Sequence, residues 1–304
     1  MTMLPEGVLR DAEPLDAPWD GVGEDTARQV KLQVRPIDDA TFALRQSSRV
    51  STEAPIGYLI CGTRRALLLD TGDAKSAVEC PLRETVDVLL HDWADGRGLP
   101  DPTLVVAHTH GHYDHVKGDS QFVDRPDTTI VAKDVDAVHR FFGLSGTVGA
   151  TTEFDLGGRT LIVMATPGHD ARSITTVDPT SGVMFSGDTA YPGRLYIDDL
   201  AAAKTSLAAM VELADTHGVH TVLGAHIEND THGGDYPVRT RFHRDEAPLP
   251  LTVAQLRTLR DDVIRTTGKG VHRGDPMTLY VGNAPLPMLK LLIRGAVWRL
   301  TGRG

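Results

Sequence analysis

Cysteine is nearly missing from this chain. Two are present among 304 residues, Cys61 and Cys80. A disulfide framework therefore does not stabilise the fold, and a reducing, cytoplasmic setting is expected. Cys61 lies in an apolar run and reads as a small core residue. Long apolar runs are missing too. No stretch of about 18 residues suits a membrane span, and Met1 to Asp20 holds prolines and acids rather than the apolar centre of a secretory leader. An excess of positive charge is also lacking. The 31 Lys and Arg stand against 41 Asp and Glu, a net charge of −10. That opposes general binding to nucleic acid or anionic membranes while leaving room for a local basic patch. There is no repeat of fixed short period. What remains, 40% hydrophobic and 24% charged residues, is ordinary for a globular protein. The length suits one large domain or two small ones.

Against that plain background, residues 104–118 stand out. Leu104 to Ala107 read as a buried strand bounded upstream by Pro100 and Pro102. Directly after it come His108, His110, His112, Asp114 and His115. Imidazole nitrogens and carboxylate oxygens are the donors that a borderline divalent cation such as Zn²⁺ takes. The alternate spacing lets His110 and His112 converge from an extended turn, with Asp114 and His115 on its other side. In α/β proteins, the end of a strand is where ligand sites form.

Along the rest of the chain, residues 1–29 read as a poorly ordered or surface-wrapping arm, rich in Pro, Asp and Gly. Strands are expected at Lys31–Arg35, Thr41–Leu44, Ile56–Gly62 and Ala66–Asp70, the last two joined by Thr63-Arg64-Arg65. Pro81–Ala94 reads as a helix with Leu82, Val86, Leu89, Leu90 and Trp93 on its core face. Thr129–Ala132 is expected as a strand and Val135–Leu144 as a helix. A hairpin is expected through Gly157-Gly158, then a strand pair at Ser173–Val177 and Val183–Phe185. Next come a helix over Asp199–His217, with Asp198 or Asp199 at its N-cap and Gly218 as its stop, and a strand at Thr221–Gly224. Residues 229–250 read as a long polar loop, Thr252–Thr266 as a helix and Met277–Val281 as a strand. Leu286–Leu300 reads as a last helix bearing Lys290, Arg294 and Arg299 among apolar residues. Gly295 weakens it as a free-standing helix, which favours packing on the domain over lying on a membrane.

The pattern of an apolar strand followed by His or Asp recurs at His169, Asp188 and His226. Seven donors of one chemistry at strand ends suit two metal ions sharing a carboxylate. Asp70, also at a strand end, is placed either to orient a ligand histidine or to bond its own turn.

These residues carry a resemblance. Thr109-His110-Gly111-His112-Tyr113-Asp114-His115, Thr166-Pro167-Gly168-His169, Ser186-Gly187-Asp188-Thr189, Gly224-Ala225-His226 and Leu69-Asp70-Thr71-Gly72 resemble, in order, the motifs of the metallo-β-lactamase-fold hydrolase superfamily. The resemblance spans about residues 30–228. It implies an α/β (α+β) protein, the four-layer αββα sandwich, with a 30–228 core, the 1–29 arm, and a C-terminal helical extension over 229–304 that shapes the pocket. It implies His110, His112 and His169 as ligands of one ion, Asp114, His115 and His226 as ligands of the other, and Asp188 as the bridge. Asp70 takes the supporting position. The cofactors implied are two divalent ions, Zn²⁺ first, with Mn²⁺ or Fe²⁺ compatible. A metal-bridging hydroxide would attack an electrophilic carbonyl or phosphorus, and Asp114 would also handle the proton between nucleophile and leaving group.

Departures within the superfamily narrow the reaction. The flavin-linked di-iron branch carries Glu where His112 stands. The nucleic-acid-cutting branches add a domain or a basic arm, and many periplasmic zinc β-lactamases have Cys or Ser where Asp188 stands. Glyoxalase II-like thioesterases and acyl-homoserine-lactone lactonases keep all seven ligands. The expected function is hydrolysis of a small ester, thioester or lactone. The alternatives are a mononuclear iron dioxygenase of the persulfide type and a non-catalytic ligand-binding member. The expected partners are a small-molecule substrate and, at most, a second copy of the chain. Tyr191, Arg194, Tyr196, Asn229, His232 and Tyr236 are the candidate substrate contacts, where a Tyr would bond an oxyanion and an Arg a carboxylate.

Overall fold

A computed structural model describes residues 2–22, 30–243, 245–274, 277–282 and 285–300, with the backbone alone at 285–288 and 299. Part of the expected arm (1 and 23–29) and the side chain of Arg299 lie outside the described residues. Strands β1 (Val8–Arg10), β2 (Leu32–Asp38), β3 (Thr41–Gln46), β4 (Ile56–Cys61), β5 (Arg65–Leu69), β6 (Thr103–Ala107) and β7 (Thr128–Ile130) form one sheet in chain order. β2 to β5 are an antiparallel meander, while β6 and β7 continue in parallel. The arm is thus partly built into the fold, since β1 pairs in parallel with β2.

The second sheet runs β14 (Pro250–Thr252), β13 (Thr221–Gly224), β11 (Val183–Gly187), β10 (Ile174–Asp178), β9 (Thr160–Ala165) and β8 (Thr151–Asp155). Between the two sheets lies a core that includes Tyr58, Leu67, Leu69, Val105, Leu161, Val163, Phe185 and Leu223. Alternation along each strand turns the other residues outward. Leu59, Leu68 and Val106 meet Val86, Leu90 and Trp93 of α1 (Leu82–Asp95). Met164, Met184 and Val222 meet Leu207 and Met210 of α4 (Leu200–Thr216) and Leu256 of α5 (Val253–Arg265). The layers are therefore helix, sheet, sheet, helix, the expected αββα sandwich. Asp199 caps α4 by accepting from the Ala202 N–H at 2.9 Å, and Thr252 with Gln255 forms a capping box on α5.

A third, small sheet was not foreseen, although its strand at Thr278–Val281 was. β12 (Arg194–Ile197) pairs in parallel with β16 (Thr278–Val281), which pairs with β15 (Gly270–Arg273). The C-terminal extension is thus strand as well as helix, and it ends in α6 (Pro285–Leu300). No helix among the described residues is long and apolar enough to cross a membrane.

Register brings the polar strand ends to one edge. Leu69 of β5 is opposite Ala107 of β6, so Asp70 leaves the sheet beside the histidine turn. Gly187 of β11 is opposite Gly224 of β13, so Asp188 and His226 leave the second sheet side by side. Gly187 has φ +52°, and a Cβ there would strike the Thr109 side chain. A residue without Cβ is required for the two sheets to approach this closely.

Candidate metal centre

β6 delivers His110 and His112 in an extended turn. The one-turn helix α2 (Tyr113–Val116) then presents Asp114 and His115. His169 follows β9, Asp188 follows β11 and His226 follows β13. The structure brings all seven side chains together. Their donor atoms form three sets, each within 4.8 Å: His110, His112 and His169; His110, His115 and Asp188; Asp114, His115 and His226.

In the first set, His110 Nε2 and His112 Nδ1 are 3.0 Å apart, and His169 Nε2 lies 3.2 and 3.0 Å from them. In the third, His226 Nε2 is 3.3 Å from His115 Nε2 and 3.4 Å from Asp114 Oδ2. A tetrahedral ion with bonds of about 2.0–2.1 Å separates its donors by roughly 3.3 Å. Asp188 lies between the sets. Its Oδ2 faces His110 at 3.8 Å and His169 at 3.7 Å, and its Oδ1 faces His115 at 3.6 Å and His226 at 3.5 Å. Asp188 Oδ1 is buried and has no hydrogen-bond partner among the described residues. A buried carboxylate oxygen left so is costly, and a cation beside it removes the cost. The donor set and the orphaned oxygen both fit divalent ions.

The outward nitrogens are held as well. His115 Nδ1–H donates to Asp70 Oδ2 (2.9 Å), His169 Nδ1–H to the Tyr196 carbonyl (2.7 Å) and His226 Nδ1–H to the Glu53 carbonyl (2.9 Å). Each bond leaves the Nε2 lone pair facing the cluster. Asp70 also accepts from the Thr109 N–H (2.8 Å) and hydroxyl (2.7 Å), and its backbone sits at φ +67°. His112 is turned the other way, with Nδ1 inward. Its Nε2 lies 3.7 Å from Asp170 Oδ2, and Asp170 is itself clamped by Arg172. The electrostatics divide the cluster. Burial, reinforced by the neighbouring His115, holds His110 well below the usual imidazole range. Burial also opposes charge on His226, yet the Asp188 and Asp114 carboxylates outweigh it and lift His226 to about 9. Asp70 and Asp188 likewise raise His115 against its burial. The surrounding histidines in turn overcome burial at Asp188 and hold its carboxyl well below the usual range.

The six residues read as substrate contacts are placed differently from one another. Arg194 is buried, with Nη1 on Asp235 (2.8 Å) and Nη2 on Glu228, so no free fork remains for a substrate carboxylate. The Tyr191 hydroxyl is buried against Glu228 and the Arg194 carbonyl. Asn229 is buried, its N–H on the Pro192 carbonyl. The Tyr236 hydroxyl accepts from the Asp245 N–H, and its ring stacks on His243 at 4.2 Å. Tyr196 is half-buried and contributes its carbonyl to His169, while His232 is exposed. His108 packs behind the turn, 2.8 Å from Asp119. Sequence reasoning passed over Tyr113, which is 58% exposed between two of the candidate donors. It also passed over Asp170, which adjoins His169 and was a visible carboxylate. The Glu53 and Tyr196 carbonyls had no side-chain signature to find.

Comparison with known proteins agrees with this geometry. The family model described as the metallo-beta-lactamase superfamily matches residues 57–264. A hydroxyacylglutathione hydrolase of Brucella ovis is 32% identical over 108 residues, which cover 34% of this chain and 42% of that protein. The chain thus matches less than half the length of that relative. A metallo-beta-lactamase of Erythrobacter litoralis, solved with beta mercaptoethanol in its active site, superposes with a TM-score of 0.50 at 16% identity, covering 78% of this chain and 97% of that one. The ETHE1 protein of Myxococcus xanthus gives 0.45 at 25% identity over 71% of this chain and 83% of its own. With its family model matched over more than half of its length and its donors gathered at one edge of the sandwich, the chain belongs to the metallo-beta-lactamase superfamily.

Proposed function

We propose that the protein is a hydrolase with a dinuclear metal centre that cleaves a small ester, thioester or lactone. The observation that carries this reading is the division of the Asp188 carboxylate between two donor sets, with Oδ1 buried and unpaired. The partial likeness to a hydroxyacylglutathione hydrolase supports hydrolysis as the class of reaction. In this reading His110, His112 and His169 hold one ion, Asp114, His115 and His226 the other, and Asp188 both. Bound there, two divalent ions supply an activated water and positive charge for a developing oxyanion.

The chain's own residues do the rest. The Asp70 carboxylate and the Tyr196 and Glu53 carbonyls fix His115, His169 and His226, so that three Nε2 atoms already face the cluster before substrate arrives. Asp114 is held ionised, because the His226 contact outweighs burial, and its carboxylate carries the proton between nucleophile and leaving group. Exposed Tyr113 and His112 border the cluster.

The test is metal analysis of the purified protein, followed by a panel of esters, thioesters and lactones with Zn²⁺, Mn²⁺ or Fe²⁺ loaded. Two ions per chain with turnover in one substrate class is the expected result. One iron per chain with oxygen uptake would put a dioxygenase in its place, and an inert, fully loaded protein would leave a binding role.

A further inference from the structure

α6 rests on the body by one side only. Leu291 and Gly295 are buried, and Arg294 Nη1 donates to Asp235 Oδ1 at 2.7 Å, tying the helix to the loop after His226. The other side carries Leu289, Leu292, Ile293, Val297 and Leu300, which are 43–87% exposed. At about 100° per residue these five positions fall within an arc of roughly 140°, opposite Leu291. The other large apolar side chains exposed among the described residues, such as Met3, Val78 and Val123, are scattered along the chain. Single exposed apolar residues need no explanation, whereas a continuous stripe does.

The stripe has a charged border. Lys290 is exposed along one edge, with Arg294 beyond it engaged by Asp235, Arg299 occupies a position on the other edge, and α6 itself contains no Asp or Glu. We propose that α6 docks the protein onto an anionic lipid surface, lying in the plane of the interface. An apolar arc sinks into the headgroup–acyl boundary while the stems of Lys and Arg reach out to the phosphates. Charge selects this occupant over a second copy of the chain, because two α6 helices stacked stripe to stripe would bring cationic borders together. The attraction is local, since the chain as a whole carries −10, so it is sensitive to salt.

The experiment is flotation of the full-length protein with phosphatidylcholine vesicles, with and without about 30% phosphatidylglycerol, at low and high salt. The expected result is co-flotation with the anionic vesicles only, reversed by high salt. The double variant Leu292→Asp/Val297→Asp should lose at least tenfold in binding, and Lys290→Glu several-fold. Both variants alter exposed side chains, and circular dichroism checks their folding. A milder pair, Leu289→Ser/Ile293→Ser, serves if the first is unstable. The proposal is overturned if wild type ignores anionic vesicles or if the variants float as wild type does. It is equally overturned if light scattering finds a dimer that the double variant dissociates, because the stripe is then an interface between copies.

Discussion

His226 and His115 sit where two demands conflict. As the proposed metal ligands they must be neutral, yet the Asp188, Asp114 and Asp70 carboxylates favour their protonated forms, lifting His226 to about 9. Metal must therefore displace protons, and apparent affinity should rise with pH, by about tenfold per unit for each proton released, until about pH 9. Calorimetry at pH 7 in buffers of different ionisation enthalpy should report about two protons released per chain on loading. His110, already held neutral, contributes none. A buffer-independent heat would contradict this account. The same shifts govern the metal-free chain. Stability from His226 is fully present below its unfolded value of about 6.5 and is lost as pH rises through about 9. Stability from Asp188 is present above about 3.9 and is lost as pH falls through its depressed value. Two substitutions separate ligand from support. Asp70→Asn leaves all seven donors in place but weakens the hold on His115, and should cost roughly 10–100-fold in metal affinity. Asp188→Ala removes the shared donor, and should lose the second ion and essentially all hydrolysis while the circular dichroism spectrum stays native. An Asp188→Ala protein with near-normal turnover would remove the bridge from the scheme.

Elements matter here through where they stop. Each strand that delivers a donor is an apolar run ending at the same edge, which is why the constellation was legible: Val105-Val106-Ala107 before the histidine turn, Met184-Phe185 before Asp188, Val222-Leu223 before His226. Local apolar patterns also revealed α1, α4 and α5, and Asp199 was legible as the N-cap of α4. What stayed hidden depends on distant pairing. β12 is four residues long and is held by β16, with Arg194 opposite Thr278, so nothing near Arg194 announced a strand. Burial of the Arg194 guanidinium likewise depends on Glu228 and Asp235, which is why it resembled a free substrate clamp. The 229–250 loop shows the same rule. Arg45 of β3 makes a two-pronged ion pair with Glu246, Nη1–Oε2 and Nη2–Oε1 both at 2.6 Å, and both side chains are buried. Glu246→Ala leaves the Arg45 charge buried and alone, and should destabilise the protein by about 3–5 kcal/mol. Arg45 outweighs burial in holding the Glu246 carboxyl down. Its contribution is therefore present above about 4.3 and is lost as pH falls through the depressed value. Denaturant titration of Glu246→Ala at pH 7 and pH 4 measures both effects. A loss below about 1 kcal/mol, the range of surface pairs, would mean that the clamp is not what orders the loop.

On the scale of the molecule, the donors come from both halves of the sandwich. His110, His112, Asp114 and His115 belong to the first sheet, and His169, Asp188 and His226 to the second. Every set of three includes donors from each. Ions bound there would fasten the sheets together at this edge, in addition to the backbone bonds from Ile56 N–H to the Ala225 carbonyl and from Ile174 N–H to the Thr109 carbonyl, each 2.8 Å. Ligands that bind the folded chain alone stabilise it by mass action, about 4 kcal/mol at a thousand times Kd. For a chain of this size that is roughly 6 °C in melting temperature. Chelation of the loaded protein should lower Tm by at least that amount, and restoring the ion should restore it. The drop should shrink at low pH, where protons on His115 and His226 already compete with metal and pair with Asp188 in its place. In Asp188→Ala the drop should be smaller at every pH, since one ion is already lost. If chelation leaves Tm unchanged while metal analysis shows the ions gone, the cluster binds metal without joining the sheets, and the sandwich is held by its apolar core alone.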